Sequence, residues 1–182
     1  MENDSADVSG SGGDGRMSYH IGRRPEELQL KEGPYSNYES VLHGDLPTTY
    51  DGLFELLDAM DYVIKEWGES MIPFGLSDMA EEVSHEIYSH NINTRFAIYS
   101  YLDDESSEQM DFVDVMKQMN KLKNAYLPLA KSYARVPSLS HWYLNLPMRV
   151  ATAFKGIRQL ERDKAREAIR REDDIARRGL HK

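Results

Sequence analysis

Leu53, Leu56, Leu57, Met60, Val63, Ile64 and Trp67 recur at steps of three and four residues. That period places them on one face of a helix over residues 49–68. Thr48 or Thr49 suits its first turn, and Gly68 its stop. The stretch MIPFGL, with Pro73 and Gly75, reads as a loop. Ser77 then suits the cap of a second helix, from Asp78 to about His90, with Val83 and Ile87 inward. Residues 92–102 fit two patterns: a short helix capped by Asn93, or a strand alternating Phe96, Ile98 and tyrosines. No second strand candidate exists to pair with, so helix is the better reading.

The polar run DDESSE at 103–108 marks a break, and Ser106 with Gln109 forms a capping-box pattern. Phe112, Val115, Met116, Met119, Leu122 and Tyr126 share the face of the helix that follows. Pro128 should end or kink it, since proline removes a backbone donor. The apolar pattern resumes at Leu129, Ala130 and Tyr133. Residues 136–146 read as a loop holding Trp142 and Tyr143. Pro147 then suits the first position of a last helix running to about Arg178, with Gly179 as its cap. Such a helix is roughly 45 Å long.

These elements predict an all-α fold, a helical bundle of about five helices with an N-terminal arm and a long projecting last helix. Four segments follow. Residues 1–16, rich in Gly, Ser and Asp, are expected to be disordered. Residues 17–47 form a docking arm, with short helical turns at 25–30 and 35–42 and with Tyr19, Tyr35 and Tyr38 to dock through. Residues 48–160 form the bundle, and residues 161–182 form a charged helical extension.

Composition changes this picture little. Charged residues at 29% and apolar residues at 40% fit a globular chain with a sizeable core. No apolar run approaches the roughly 18–20 residues of a membrane span, so no membrane partner is expected. No secretory or targeting signal stands out. The default location is cytoplasmic, or the virion if the chain is a phage component. The absence of cysteine excludes disulfides, thiolate metal sites and cysteine nucleophiles. Eleven Tyr and nine Met are compatible with an interface, although core filling is the plainer use of each.

Charge adds more. Residues 1–147 carry 11 Lys and Arg against 25 Asp and Glu, whereas residues 148–182 carry 11 against six. A basic end on an acidic chain suggests that it meets something acidic. In the last helix, Val150, Phe154, Ile157 and Leu160 belong to the core face. Beyond Leu160 the stripe thins to Ala165, Ala168, Ile169, Ile175 and Ala176. Support should come from Glu167 to Arg171, Asp173 to Arg177 and Asp174 to Arg178, each pair worth about 0.2–0.5 kcal/mol. The candidate partner-binding residues are therefore Arg162, Arg166, Arg170, Arg171, Arg177 and Arg178, together with the three arm tyrosines. Nucleic acid is the second choice of partner, because acids interrupt the bases and no aromatic residue interleaves with them after Phe154.

Catalytic motifs are missing. There is no phosphate-binding loop, dinucleotide fingerprint or nucleophile elbow. Glu82 and His85 have the Glu-x-x-His spacing of di-iron bundles, but those need the motif twice plus two further carboxylates. His85 and His90 are five residues apart, about 140° around a helix, so they do not share a face. Glu55, Asp58, Asp61 and Glu66 read as a solvated helix face. The expectation is thus a non-enzymatic interaction or assembly protein with no cofactor and no metal, binding a protein partner or itself. One such role is a component or assembly factor of a larger, phage-like particle. The alternatives are a nucleic-acid-associated regulator using the basic helix, and a helical metalloprotein using Glu82 and His85.

Overall fold

The computed structural model describes residues 38–103 and 109–179, with the first three of these as backbone only. The expected disordered start, the turn at 25–30, Tyr19, Tyr35 and Ser106 lie outside the described residues. Six helices follow in order: α1 (Tyr38–His43), α2 (Tyr50–Met71), α3 (Ser77–Leu102), α4 (Phe112–Ala125), α5 (Leu127–Ser132) and α6 (Pro137–Gly179). No strand occurs among the described residues. Helix α3 packs on α2 and α4, and α6 closes the square by packing on both α2 and α4.

Thr49 caps α2. Its backbone is extended, and its hydroxyl accepts the Gly52 N–H at 3.2 Å. The helix does not stop at Gly68 as expected. Trp67 and Met71 are both buried, so the core face continues past the glycine. Gly68 lies beside α3 instead, where an added Cβ would sit 3.3 Å from the Ser84 hydroxyl. The turn comes later, in the 3-10 segment Ile72–Phe74, and Gly75 takes the left-handed conformation at φ 69°.

The two segments expected over 78–102 are one helix. Leu76, not Ser77, occupies the capping position, without a side-chain cap bond. Asn93 starts nothing. Two polar residues near it, Asn91 and Thr94, are turned inward and buried. The Asn91 amide donates to the Leu57 carbonyl at 3.0 Å and to Asp61 Oδ1 at 2.6 Å. The Thr94 hydroxyl donates to the His90 carbonyl at 2.8 Å.

Asp111 caps α4 by accepting the Asp114 N–H at 2.8 Å. Gln109, expected in a capping box, stands outside the helix and donates to the Tyr101 carbonyl at 2.9 Å. Pro128 separates α4 from α5 as its chemistry requires.

The largest departure is α6. It begins at Pro137, so the stretch 136–146 is not a loop, and Pro147 is buried inside the helix. Leu139, Tyr143, Leu146, Val150, Ala153, Phe154 and Ile157 form one buried stripe across the proline. An interior proline costs about 3 kcal/mol; burial of even two such side chains offsets that at about 1.5–3 kcal/mol each. The whole helix is about 65 Å long.

Most aromatic residues of the body serve the core. Trp67, Tyr126, Tyr133, Tyr143 and Phe154 are fully buried. Phe154 stacks on Phe112 at 5.7 Å and meets the Tyr101 ring edge-on at 5.4 Å. The end of the arm docks on its own body. Leu42 is buried, His43 stacks on Trp142 at 5.7 Å, and Arg149 reaches the carbonyls of Val41 and Gly44.

Candidate interaction surfaces

The α6 extension is rooted by two polar contacts. Tyr50 donates its hydroxyl to Glu161 at 3.0 Å. Burial, and then that carboxylate, raise the Tyr50 pKa well above its ordinary value. Arg158 donates to the Tyr101 hydroxyl at 3.0 Å and lies 4.0 Å over the Phe112 ring. Past this root, every residue from Gln159 to Gly179 is exposed. Of the three expected charge pairs, Glu167–Arg171 forms. Asp173–Arg177 and Asp174–Arg178 are not within ion-pair distance among the described residues, and Arg166 instead meets Asp163 at 3.7 Å. Exposed pairs of this kind lose side-chain entropy that nearly offsets their attraction.

The six candidate arginines do not act as one set. At about 100° per residue, Arg162, Arg166, Arg170 and Arg177 share one side of the helix. Ile169 and Ala176 border that row, and Asp173 interrupts it. Arg171 and Arg178 lie roughly 120° away. Tyr38 opens α1, at the far end of the chain from these arginines.

A second exposed surface went unread in the sequence. Ile92, Phe96 and Tyr99 follow at steps of four and three along α3, and they are 50%, 66% and 56% exposed. Phe54 of α2 stacks on Tyr99, ring centres 4.4 Å apart, and widens the patch. Asp51, Glu55 and Asp58 are exposed on α2 beside it. Asp58 also holds Arg95 at 2.6 Å. The signal was present as helical spacing, but the same residues alternate well enough to pass for a strand. Charge follows this geography: residues 50–90 carry ten Asp and Glu against one Lys, and residues 112–135 carry five Lys and Arg against one Asp.

The carboxylates expected on a solvated face divide. Glu66 is buried, and Asp61 is tied to Asn91 and, at 3.3 Å, to Arg95. Burial pushes the Asp61 carboxyl above its ordinary range, against the pull of Arg95 and Asn91. Burial likewise pushes the neighbouring Tyr88 hydroxyl up to about 12. This cluster joins α2 to α3 and has structural work to do.

A groove of about 520 Å³ separates α3 from α4 and α5, lined in part by Glu82, Glu86, His90 and Lys121. Glu86 meets His90 at 2.9 Å. His85 is exposed and is not part of the lining. Among the described residues no three His, Asp or Glu side chains gather as metal ligands would. No helix is long and apolar enough to cross a membrane among them. No family model, no curated protein and no solved structure matches the chain.

Proposed function

We propose that this chain is a non-enzymatic protein–protein interaction or assembly protein, and that the α6 extension is its docking element. The observation that carries the reading is the run from Gln159 to Gly179, about 30 Å of helix with no buried residue. Helices standing free in water carry little stability of their own, because nucleation is costly and tertiary packing normally supplies it. A rod continuous with a packed core escapes nucleation and is presented ready for a partner. A place in a larger particle, as component or assembly factor, falls within this reading.

The test is truncation after Glu161, which keeps the contact with Tyr50. The shortened chain should keep its thermal unfolding midpoint, since the removed residues bury nothing, and should lose self-association or partner binding in light scattering. A truncated chain that associates as the full chain does would refute the reading. The row of Arg162, Arg166, Arg170 and Arg177 also favours the second reading, nucleic-acid association. That reading requires an affinity for duplex or single-stranded nucleic acid that falls steeply with salt.

A further inference from the structure

We infer that the acidic, apolar face of α2 and α3 around Phe96 is the seat for the α6 extension of a second copy, so that copies join head to tail. The inference rests on reading the extension as a docking element, and it names both the partner and the surface that receives it.

Three observations lead there. First, the seat and the extension complement each other. The seat centres on Phe96, flanked by Ile92 and Tyr99, beside the acidic side chains of Asp51 and Glu55. The extension offers Ile169, 59% exposed, preceded on its side of the helix by Arg162 and Arg166 and followed by Asp173. An apolar centre beside acidic side chains thus faces an apolar centre whose preceding two turns are basic.

Second, the shapes agree. Two packed helices leave a shallow groove between them, and a third helix seats its ridge of side chains in such a groove at about 8–10 Å between axes. Phe54 on α2 and Tyr99 on α3 stack across that line one turn from Phe96, so the groove is apolar there, and the Asp58–Arg95 pair follows it.

Third, the extension cannot serve its own body. Helix α6 is unbroken from Pro137 to Gly179, so its exposed part is carried onward along the helix axis and does not turn back to α2 and α3. Its occupant is supplied in trans. Because the two surfaces differ, each copy that joins leaves one extension and one seat free. Such a joint builds open chains, or rings if the rotation closes.

Two variants of the full chain test this. Phe96→Asp blocks the seat, and Ile169→Asp with Arg166→Glu blocks the extension. All three positions are exposed, and circular dichroism confirms that each variant folds. At low salt the wild type should grow in mass with concentration by light scattering. Each variant alone should stay a monomer, its apparent dissociation constant raised at least about tenfold. Mixed at equal amounts, the two should form a dimer and stop there, since one intact seat meets one intact extension. If Phe96→Asp assembles as the wild type does while the extension variant stays monomeric, the docking element stands and this seat is wrong. Antiparallel pairing of two extensions would give that pattern. If both variants assemble normally, both readings fall. A wild type that stays monomeric at every concentration overturns the inference outright.

Discussion

Arg149 is the clasp between the arm and the body, and its removal should open one without unfolding the other. Its Nη2 lies 2.8 Å from the Gly44 carbonyl, 3.2 Å from that of Val41 and 3.5 Å from that of Asp45. These carbonyls belong to the last turn of α1 and the residues after it, where a helix has no partners of its own. The nitrogen carries two hydrogens, so at most two of the three contacts are full bonds. Hydrogen bonds to a charged group contribute about 1.5–3 kcal/mol. Part of that is offset here. Burial lowers the pKa of the guanidinium, against the attraction of Asp45, so the charge loses hydration to reach this place. In Arg149→Met the Gly44 carbonyl regains water, which returns more of the loss. A net of about 1–2 kcal/mol remains, or roughly a 5–30-fold change in an opening equilibrium. Leu42 and the His43–Trp142 stack still hold α1 loosely. Amide hydrogen exchange reads the effect directly. The last amides of α1, at Leu42 and His43, should exchange about 5–30 times faster in the variant, while the amides of α2 keep their rates. Unchanged exchange at these two amides would refute the clasp, and so would uniform acceleration throughout the bundle.

Three further outcomes are expected. Phe154→Ala empties the position between Tyr50, Tyr101 and Phe112 and should cost about 3–5 kcal/mol in urea unfolding; a loss under about 1 kcal/mol would contradict its central place. Gly75→Ala puts a Cβ in open space, so its penalty is purely that of the left-handed backbone, about 1–2 kcal/mol, and an unchanged urea midpoint would deny that turn. Asp61, whose pKa burial raises, keeps its proton in the native state at pH values where the unfolded chain releases it. The native state then binds more protons, so this group's contribution to stability falls as pH rises through that window. Asp61→Asn lacks the fall, so its urea midpoint should gain on the wild type as pH rises from about 4; a constant difference between the two would contradict the shift.

The all-α bundle was legible because its signals are local. The α2 stripe, the Thr49 cap and the break at Pro128 each depend on residues a turn or two apart, and each appears where expected. What failed depends on neighbours that the pattern of one helix does not contain. The second helix was expected to end near His90, yet Asn91 continues it and its amide bonds belong to the facing helix α2. Pro147 looked like a start, yet the buried stripe runs through it from Leu139 to Ile157. Ser106 and Gln109 matched a capping box, but Asp111 stands nearer the first buried turn and supplies the cap. The same division governs the candidate site. The extension was legible as a place where apolar residues thin out, and its residues are exposed. The two rows into which its arginines fall need only the helical period, whereas the patch at Phe96 needs to be known as the outer side of α3.

The charges and the apolar centres of such a joint have different roles. Exposed ion pairs contribute about 0–1 kcal/mol each and are screened beyond roughly 10 Å at ordinary salt. They therefore orient the encounter and speed it, and they discourage two acidic faces from meeting, without holding copies together. Holding falls to the apolar centres. Seating Ile169 against Phe96 buries two large side chains that are now more than half exposed, worth about 1.5–3 kcal/mol apiece. Association itself costs on the order of 4–15 kcal/mol in lost freedom. One joint of this kind is therefore weak and reversible. It gains persistence only when a second attachment raises the effective concentration of the partner, as ring closure or a shared scaffold does. In the proposed joint, a sparse and charged rod meets a single apolar patch, so copies of the chain stay separate when dilute and assemble when brought together.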